Sequence, residues 1–527
     1  MTWFSLPPAR TGTPPPFCDK AGCDAWLAAQ PLANAPQMQG VFAVLLDSLN
    51  GWKIPARERF KILESMRKSV VAVEAESLKR YEYRPLPLSP VEQKALDASC
   101  RLWRELTVGY LHCLRACLDG DAGVSEHAAK ICHRVVVALR QEQLCRYYGG
   151  SAVPGQWWRK LHAALASAEQ LGVASEPVSD RLFAETREST IAGQYAMAIL
   201  LHLCRPCELS RSQFSAIVRW LARWREQATI HASPDEVRNA RCVVVDLSAN
   251  APLHLGETAP AMPRWIVIDA VLSKLKGRAK ALREGQTPEE LKLGSGLPAE
   301  ACIALLQFLH GSLQAPPPAP PAARDGARSI SLGGSVESAY RLLGGAPLVD
   351  EAAPTSLSNR RLHDQIAIFG HVVKDDSTTA AVVATDSWQV LTETTSELVL
   401  RRMPGSTDIR LNCRSLVAAQ DGSRVTLAVV RSLVAQEDGS LLATLRLLPG
   451  VGVPMLAFGQ EKGTNRQVQY PAVFLPATAH TGAPPSLFLP GGTMNRLSRL
   501  DVVDLPDRLR AGQPIERGAN FDRLRCD

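Results

Sequence analysis

Residues 315–323, Ala315-Pro-Pro-Pro-Ala-Pro-Pro-Ala-Ala323, divide the sequence into two halves of different character. Proline fixes its own backbone angle and has no N–H to donate, so a proline-rich run forms an extended spacer rather than part of a core. The residues that follow, 324–356, are rich in Gly, Ala and Ser and offer few side chains to bury, with Val336–Leu343 as a candidate for a short helix. We therefore predict an Ala/Pro-rich linker over residues 313–356.

Upstream of this linker, apolar residues recur with the spacing of helices. Between Pro55 and Tyr81, Phe60, Leu63 and Val70 fall close to one helical face. Ser89 followed by Pro90 is typical of a helix start, with Ser as the N-cap and Pro as the first helical residue. We predict a helical array or bundle over residues 1–233. Further helices are expected at about 125–147, 155–172, 188–204 and 210–228.

Residues 234–312 combine strand and helix patterns. Cys242–Leu247 is short and β-branched and is a strand candidate, and Trp265–Asp269 leads into the next helix. A basic amphipathic helix follows, with Lys274–Arg283 on its exposed side, and another helix is expected at about 298–312. We predict a small mixed α/β unit packed on the helical domain.

Downstream of the linker, short apolar runs alternate with turn signals. Asp421-Gly-Ser423 lies between two such runs, and Asp-Gly in this position is a strong hairpin signal. Short strands at this spacing predict a small β-barrel over residues 357–450 and a β-rich extension over 451–527. The fold class is therefore multidomain α+β. The strand candidates of the barrel are 366–373, 379–384, 388–391, 398–402, 424–434 and 441–448.

The composition excludes several classes of protein. Of the 527 residues, 46% are hydrophobic and 21% are charged, which is typical of globular chains and excludes wholesale disorder. The formal net charge of +7 is too small for a dedicated nucleic-acid binder, so no DNA partner is expected. No run approaches the roughly 20 apolar residues of a membrane span, and the N-terminus lacks a signal-peptide pattern. We expect a cytoplasmic protein.

Signatures of catalysis and metal binding are incomplete in this sequence. Cys204-Arg-Pro-Cys207 resembles half of a zinc ribbon, but no second C-x-x-C follows at suitable spacing. Ser65-Met-Arg-Lys68 matches S-x-x-K without the companion motifs of acyl-serine enzymes. The glycine pairs at 333–334 and 344–345 are not followed by Lys-Ser/Thr, so they do not form a P-loop. We predict no catalytic residues, no metal site and no cofactor.

The segment Ser387-Trp-Gln-Val-Leu-Thr-Glu-Thr-Thr-Ser-Glu-Leu-Val-Leu400 resembles part of the PilZ domain, a bacterial receptor for cyclic di-GMP. PilZ domains carry an apolar lead-in, then D/N-x-S-x-x-G, then a strand. Thr392, Thr394 and Glu397 stand at the three defined positions of that motif. The next two strand candidates, 424–434 and 441–448, follow the PilZ order of strand, hairpin, strand. A helical N-terminal half, an Ala/Pro linker and a β-rich tail also resemble a group of long proteobacterial PilZ proteins.

The second PilZ motif, R-x-x-x-R, lies before the barrel in that family. Arg360 and Arg361 stand in the corresponding place, but the residue four positions on is Asp364 or Gln365 rather than arginine. The resemblance implies a degenerate nucleotide-binding site. Its candidate residues are Arg360, Arg361, Thr392 and Thr394.

The departures from the motif predict weak or lost binding of cyclic di-GMP. A missing arginine removes a charge-assisted bidentate contact. Glu397 adds bulk and negative charge where the family has glycine. If binding is strong, Arg401, Arg402 and Arg431 are the candidates for substitute contacts.

From the resemblance we expect a non-catalytic signalling or adaptor protein with an atypical PilZ-like barrel. Its helical half would bind a protein partner, with the basic helix near Lys274–Arg283 as the candidate surface. Cyclic di-GMP is the candidate ligand. The alternative is a scaffold or chaperone-like interaction protein without a nucleotide ligand. An enzyme would need a cleft of ionisable groups that the linear sequence does not display.

Overall fold

A computed structural model describes residues 4–11, 13–183, 188–315, 328–346, 383–405, 409–463, 467–478, 482–502 and 510–527. The chain divides into two compact units. The first, here the helical unit, comprises Met1–Pro320 with Val434–Glu437, and the second, the β unit, comprises Pro321–Leu433 with Asp438–Asp527. The boundaries of the five predicted segments stay predictions.

The helical unit confirms the predicted helical N-terminal half. Its helices are α1 (Lys20–Ala28), α2 (Ala35–Asn50), α3 (Ala56–Leu78), α4 (Pro90–Leu118), α5 (Ala122–Ser125), α6 (Ala128–Tyr148), α7 (Gly155–Gln170), α8 (Ile191–Leu203), α9 (Arg211–Trp224), α10 (Asp269–Arg283) and α11 (Ala299–Gln314). Short strands β1 (Val178–Ser179) and β2 (Glu188–Ser189) pair with each other. Strands β3 (Thr229–His231), β4 (Cys242–Asp246) and β5 (Pro263–Val267) form a small antiparallel sheet in the order β3-β5-β4.

Local sequence signals account for several of these helix boundaries. At α4 the Ser89 side chain accepts from the Glu92 N–H and the Glu92 carboxylate accepts from the Ser89 N–H, which forms a capping box. Helix α1 follows a proline-containing N-terminal segment. Its N-cap is Asp19, whose carboxylate accepts from the Gly22 N–H at 2.8 Å.

The β unit contains a closed barrel of six strands, which confirms the predicted β-barrel, although β6 and β9 were not among the strand candidates. Its strands are β6 (Ser329–Gly333), β7 (Asp386–Glu393), β8 (Glu397–Arg402), β9 (Leu416–Asp421), β10 (Arg424–Ala435) and β11 (Leu441–Leu447). The order around the barrel is β10-β11-β8-β7-β6-β9. Alternate residues of β8, among them Leu398 and Leu400, are buried, as expected for a strand with one face toward a core.

Strand β6 and helix α12 (Val336–Leu342) lie within the segment predicted as linker. The short run Ser329–Gly333 has only Ile330 and Leu332 to bury, so its local pattern is weak. It becomes a strand because it pairs with β7 on one side and β9 on the other, which closes the barrel. The strand candidates 366–373 and most of 379–384 lie outside the described residues.

The remaining strands of the β unit form a six-stranded antiparallel sheet. They are β12 (Val453–Glu461), β13 (Gln467–Leu475), β14 (Ser486–Pro490), β15 (Leu497–Val502), β16 (Ala511–Arg517) and β17 (Phe521–Cys526). Their order in the sheet is β15-β12-β13-β14-β17-β16. Val473, Phe488 and Phe521 of this sheet share a hydrophobic core with α12 and with the outer face of β9 and β10. The barrel and the β-rich extension are therefore packed together within one unit. The short helix α13 (Thr493–Arg496) lies between β14 and β15.

Candidate functional site

The turn between β7 and β8 carries the predicted motif residues. Thr394 stabilises this turn: its hydroxyl accepts from the Glu397 N–H at 3.0 Å, and its own N–H donates to the Glu397 carbonyl at 2.8 Å. Thr392 lies on β7 next to a bulge, is exposed, and pairs with Val399. The structure thus brings Thr392 and Thr394 onto one hairpin. Arg360 and Arg361 lie outside the described residues.

Glu397, where the PilZ motif has glycine, forms an ion pair with Arg431 of β10. This pairing offsets the negative charge that the carboxylate would otherwise present to a ligand. Glu397 also lies opposite Arg446 in the β8–β11 register. The net negative charge at the β7–β8 turn is therefore smaller than the sequence of the turn suggests.

The three arginines considered as substitute ligand contacts are all paired with carboxylates. Arg401 pairs with Asp438, Arg402 pairs with Asp386, and Arg431 pairs with Glu397. The Arg402 pair is buried, whereas the Arg401 pair is partly exposed. Each arginine would have to leave its carboxylate before it could contact a phosphate.

A cleft of about 530 Å³ opens at the end of the barrel next to this turn. Its volume falls within the roughly 300–1,000 Å³ usual for small-molecule sites. The last residues of α12, the β7–β8 turn, the β9–β10 hairpin and the loop after β11 all contribute to its wall. The lining residues are Leu342, Leu343, Thr395, Ser396, Ser423, Arg424, Val425, Thr426, Leu447, Leu448, Pro449, Gly450 and Val451.

The lining of the cleft combines apolar and polar groups. Leucines from α12 and from the end of β11 supply apolar surface, and hydroxyls of Thr395, Ser396 and Ser423 supply hydrogen-bonding groups. Arg424 is the positively charged residue among those that line the cleft, and it is exposed to solvent. No hydrogen bond or ion pair of its guanidinium is found within the part of the chain that the structure describes. A guanidinium in this state suits a phosphate or carboxylate group of a ligand.

Local backbone signals position two parts of the cleft. Gly422 has a φ of +57° in the β9–β10 turn, a conformation that glycine adopts readily, and this turn places Arg424 opposite Asp421 at the start of β10. Gly450 has a φ of +103° in the loop after β11. The Asp421-Gly422 signal predicts the hairpin, but nothing in the sequence marks Arg424 as part of a cleft.

The C-x-x-C pair of the helical unit shows no sign of a metal site. Cys204 is fully buried, and burial raises the pKa of its thiol. Cys207 is partly exposed, and both cysteines are thiols rather than halves of a disulfide. Among the described residues, no group of three His, Cys, Asp or Glu side chains is arranged to hold a metal ion. Helices long and apolar enough to cross a membrane are likewise not found in the described ranges.

Comparison with known proteins gives one match. Residues 20–235 match the family model described as the N-terminal domain of the cyclic-di-GMP receptor FimW. The match covers less than half of the chain and ends before the β unit. No match is found among the curated proteins or among the solved structures. The helical half of the chain is therefore similar to the N-terminal domain of a cyclic-di-GMP receptor.

Proposed function

We propose that this protein is a non-catalytic signalling receptor or adaptor with an atypical, PilZ-like barrel. The observation that carries the proposal is the match of residues 20–235 to the N-terminal domain of a cyclic-di-GMP receptor. That match involves the helical unit, whereas the resemblance to PilZ domains involves the barrel. The two similarities were found in different parts of the chain and imply the same ligand.

We place the ligand site in the cleft at the barrel end. The apolar part of its lining suits a planar base, and its hydroxyls suit the hydrogen-bonding edge of that base. The Arg424 guanidinium suits a phosphate. Thr394 acts through the turn that it stabilises, so in this proposal Thr395 and Ser396 present the hydroxyls to the ligand. Arg360 and Arg361 remain candidate contacts, as the resemblance implies.

Binding of cyclic di-GMP is expected to be weak. The Thr394 hydroxyl forms hydrogen bonds within the β7–β8 turn, and Arg431 of β10 is paired with Glu397. A ligand would therefore gain fewer charged contacts than a complete PilZ motif provides. If binding is absent, the protein is instead a scaffold that uses the barrel for protein interactions.

Replacing Arg424 with alanine is expected to weaken cyclic di-GMP binding by about 10- to 100-fold. The reason is the loss of one charge-assisted contact, worth about 1.5–3 kcal/mol. Isothermal titration calorimetry on the full chain, with high protein concentrations for weak binding, measures this change. Arg499→Ala is the matched control, because Arg499 is an exposed arginine of β15 in the six-stranded sheet, where it pairs with Asp501. Equal affinities of the wild type and R424A would show that the ligand does not bind in this cleft.

Replacing Glu397 with glutamine is expected to strengthen cyclic di-GMP binding by about tenfold, or about 1.4 kcal/mol. The substitution removes a carboxylate next to the cleft and releases Arg431 from that ion pair. The same calorimetric titration tests it, with Asp501→Asn as a control that removes an exposed carboxylate elsewhere in the β unit. No detectable binding in either the wild type or E397Q would favour the scaffold function, and equal measurable affinities would contradict the predicted effect of Glu397.

The proposed protein partner binds the helical unit. Lys276, Lys280 and Arg283 lie on the exposed face of α10 at helical spacing. Only Lys280 has a carboxylate nearby within the described ranges, Glu284 at 3.6 Å. This charge balance favours an acidic surface on the partner. We place the protein in the cytoplasm as part of the same proposal.

A further inference from the structure

Three buried polar side chains follow one another at the end of α3 in the core of the helical unit. Glu74 and Ser77 lie on α3, and Tyr81 lies in the turn that follows it. The spacing of three residues puts Glu74 and Ser77 on the same face of α3, and Tyr81, three residues beyond the end of the helix, lies close enough to Glu74 to interact with it electrostatically. They are 5%, 0% and 0% exposed, respectively. One carboxylate oxygen of Glu74, the Ser77 hydroxyl and the Tyr81 hydroxyl each have no hydrogen-bond partner among the described residues.

Neighbouring helices complete the surroundings of this cluster. The Gln39 amide of α2 donates to the other Glu74 oxygen at 2.8 Å and to the Ser99 hydroxyl of α4 at 2.7 Å. On α6 the buried Cys145 thiol lies close to Tyr81. The cluster therefore lies at the junction of four helices rather than at the protein surface.

Buried polar groups without partners are costly, and native proteins usually satisfy them with ordered water that has two to four polar partners. A carboxyl group and two hydroxyls offer that number of partners. We propose that Glu74, Ser77 and Tyr81 enclose a buried hydrated site, at which the folded helical unit binds a proton on Glu74. The site thus takes water and a proton as its ligands, independently of cyclic di-GMP.

The electrostatic surroundings agree with a neutral Glu74. The cations near Cys100, which lies beside the cluster, are Arg104 and Arg146, and both pair with Glu142, at 3.3 and 2.8 Å. Burial raises the pKa of Glu74 to about 7, with the hydrogen bond from Gln39 opposing it. Burial also raises the pKa values of Tyr81 and of the two cysteines that face the cluster, Cys100 and Cys145. Glu74 is thus the group of this cluster that titrates near neutral pH.

This arrangement links proton binding to the stability of the helical unit. Because the pKa of Glu74 is higher in the folded state than its ordinary value of 4.5, the folded state holds the proton more tightly. The stabilisation is complete below pH 4.5 and is lost as pH rises through about 7. A pKa difference of this size corresponds to a change of about 300-fold in the folding equilibrium.

Hydrogen exchange with mass spectrometry on the full chain tests the proton site. Between pH 5 and pH 8, protection factors of peptides from α3 and α4 are expected to fall by about 70-fold in the wild type relative to Glu74→Gln, because part of the full change occurs outside this range. Peptides from β11 serve as an internal reference in the same chain. Glu126→Gln, at an exposed glutamate of the helical unit, is the matched control and should follow the wild type. An identical pH dependence in the wild type and E74Q would overturn the proposal.

Tyr81→Phe and Ser77→Ala test hydration separately, because each removes one hydroxyl and little else. If water satisfies these hydroxyls, each substitution breaks a hydrogen bond and should lower the α3 protection factors by about fivefold. If the site is dry, removal of an unpaired hydroxyl should raise protection instead, and that result would overturn the hydrated site.

Discussion

Replacing Asp180 with asparagine is expected to lower the free energy of unfolding of the helical unit by about 3–5 kcal/mol. One Asp180 oxygen accepts from Arg67 at 2.6 Å and from Arg134 at 2.9 Å, and all three side chains are buried. The substitution leaves two buried guanidinium groups without their shared carboxylate. The nearest other carboxylate oxygen of Arg67 belongs to Glu64 and is 3.9 Å away, too far for a hydrogen bond.

Urea denaturation of the full chain, followed by tryptophan fluorescence, measures this loss. Trp388 is the only tryptophan after Pro321, so the signal reports mainly on the helical unit. Asp235→Asn is the matched control, because Asp235 pairs with Arg238 at the surface, where such pairs contribute about 0–1 kcal/mol. A loss in D180N no larger than in D235N would contradict the prediction.

The same cluster predicts a loss of stability at acidic pH. Burial tends to raise the pKa of Glu64, but the attraction and hydrogen bonds of Arg134 and the hydrogen bond from Lys130 lower it to about 2. The pKa of Asp180 is also lowered, because Arg134 and Arg67 outweigh its burial. Their stabilisation is therefore present above the ordinary carboxylate pKa values and is lost as pH falls toward 2. The unfolding midpoint of D180N should depend less on pH in this range than that of the wild type.

Replacing Asp386 with asparagine is expected to destabilise the barrel by about 3–5 kcal/mol. Asp386 and Arg402 form a buried ion pair between β7 and β8. The Arg402 guanidinium also donates to the Ile409 carbonyl at 3.0 Å and lies 5.5 Å from the centre of the Trp388 ring. Without the carboxylate, the contacts that a buried positive charge keeps with the described residues would be these weaker ones.

Hydrogen exchange of β7 and β8 peptides measures this effect in the full chain, as a fall in protection of 100-fold or more. Asp501→Asn, which removes the carboxylate of an exposed ion pair with Arg499, should leave the same peptides unchanged. The double variant Asp386→Leu/Arg402→Met should be more stable than D386N, because it leaves no unpaired charge in the interior. Protection in D386N equal to that of the wild type would show that the pair contributes little.

The predicted mixture of a helical half and a barrel follows from short-range sequence features. Ser89, Pro90 and Glu92 define the start of α4 through a capping box that involves only neighbouring residues. Asp421-Gly422 defines the β9–β10 hairpin in the same way. Such features are visible in the sequence because the hydrogen bonds that they form connect residues two to four positions apart.

The β6 strand and the candidate cleft were not predictable, because they depend on contacts between distant segments. Strand β6 exists through pairing with β7 and β9, which lie more than 50 residues away. Arg424 belongs to a cleft only because the barrel brings it beside Ser396 and the loop after β11. The ionic partners are equally distant: Glu397 meets Arg431, and Arg67 meets Asp180. The sequence alone determined the local helices, turns and alternating strands, since backbone geometry and neighbouring side chains are sufficient for these. Only the tertiary structure decided which charges are paired and which surface is concave, because both depend on how the chain closes on itself.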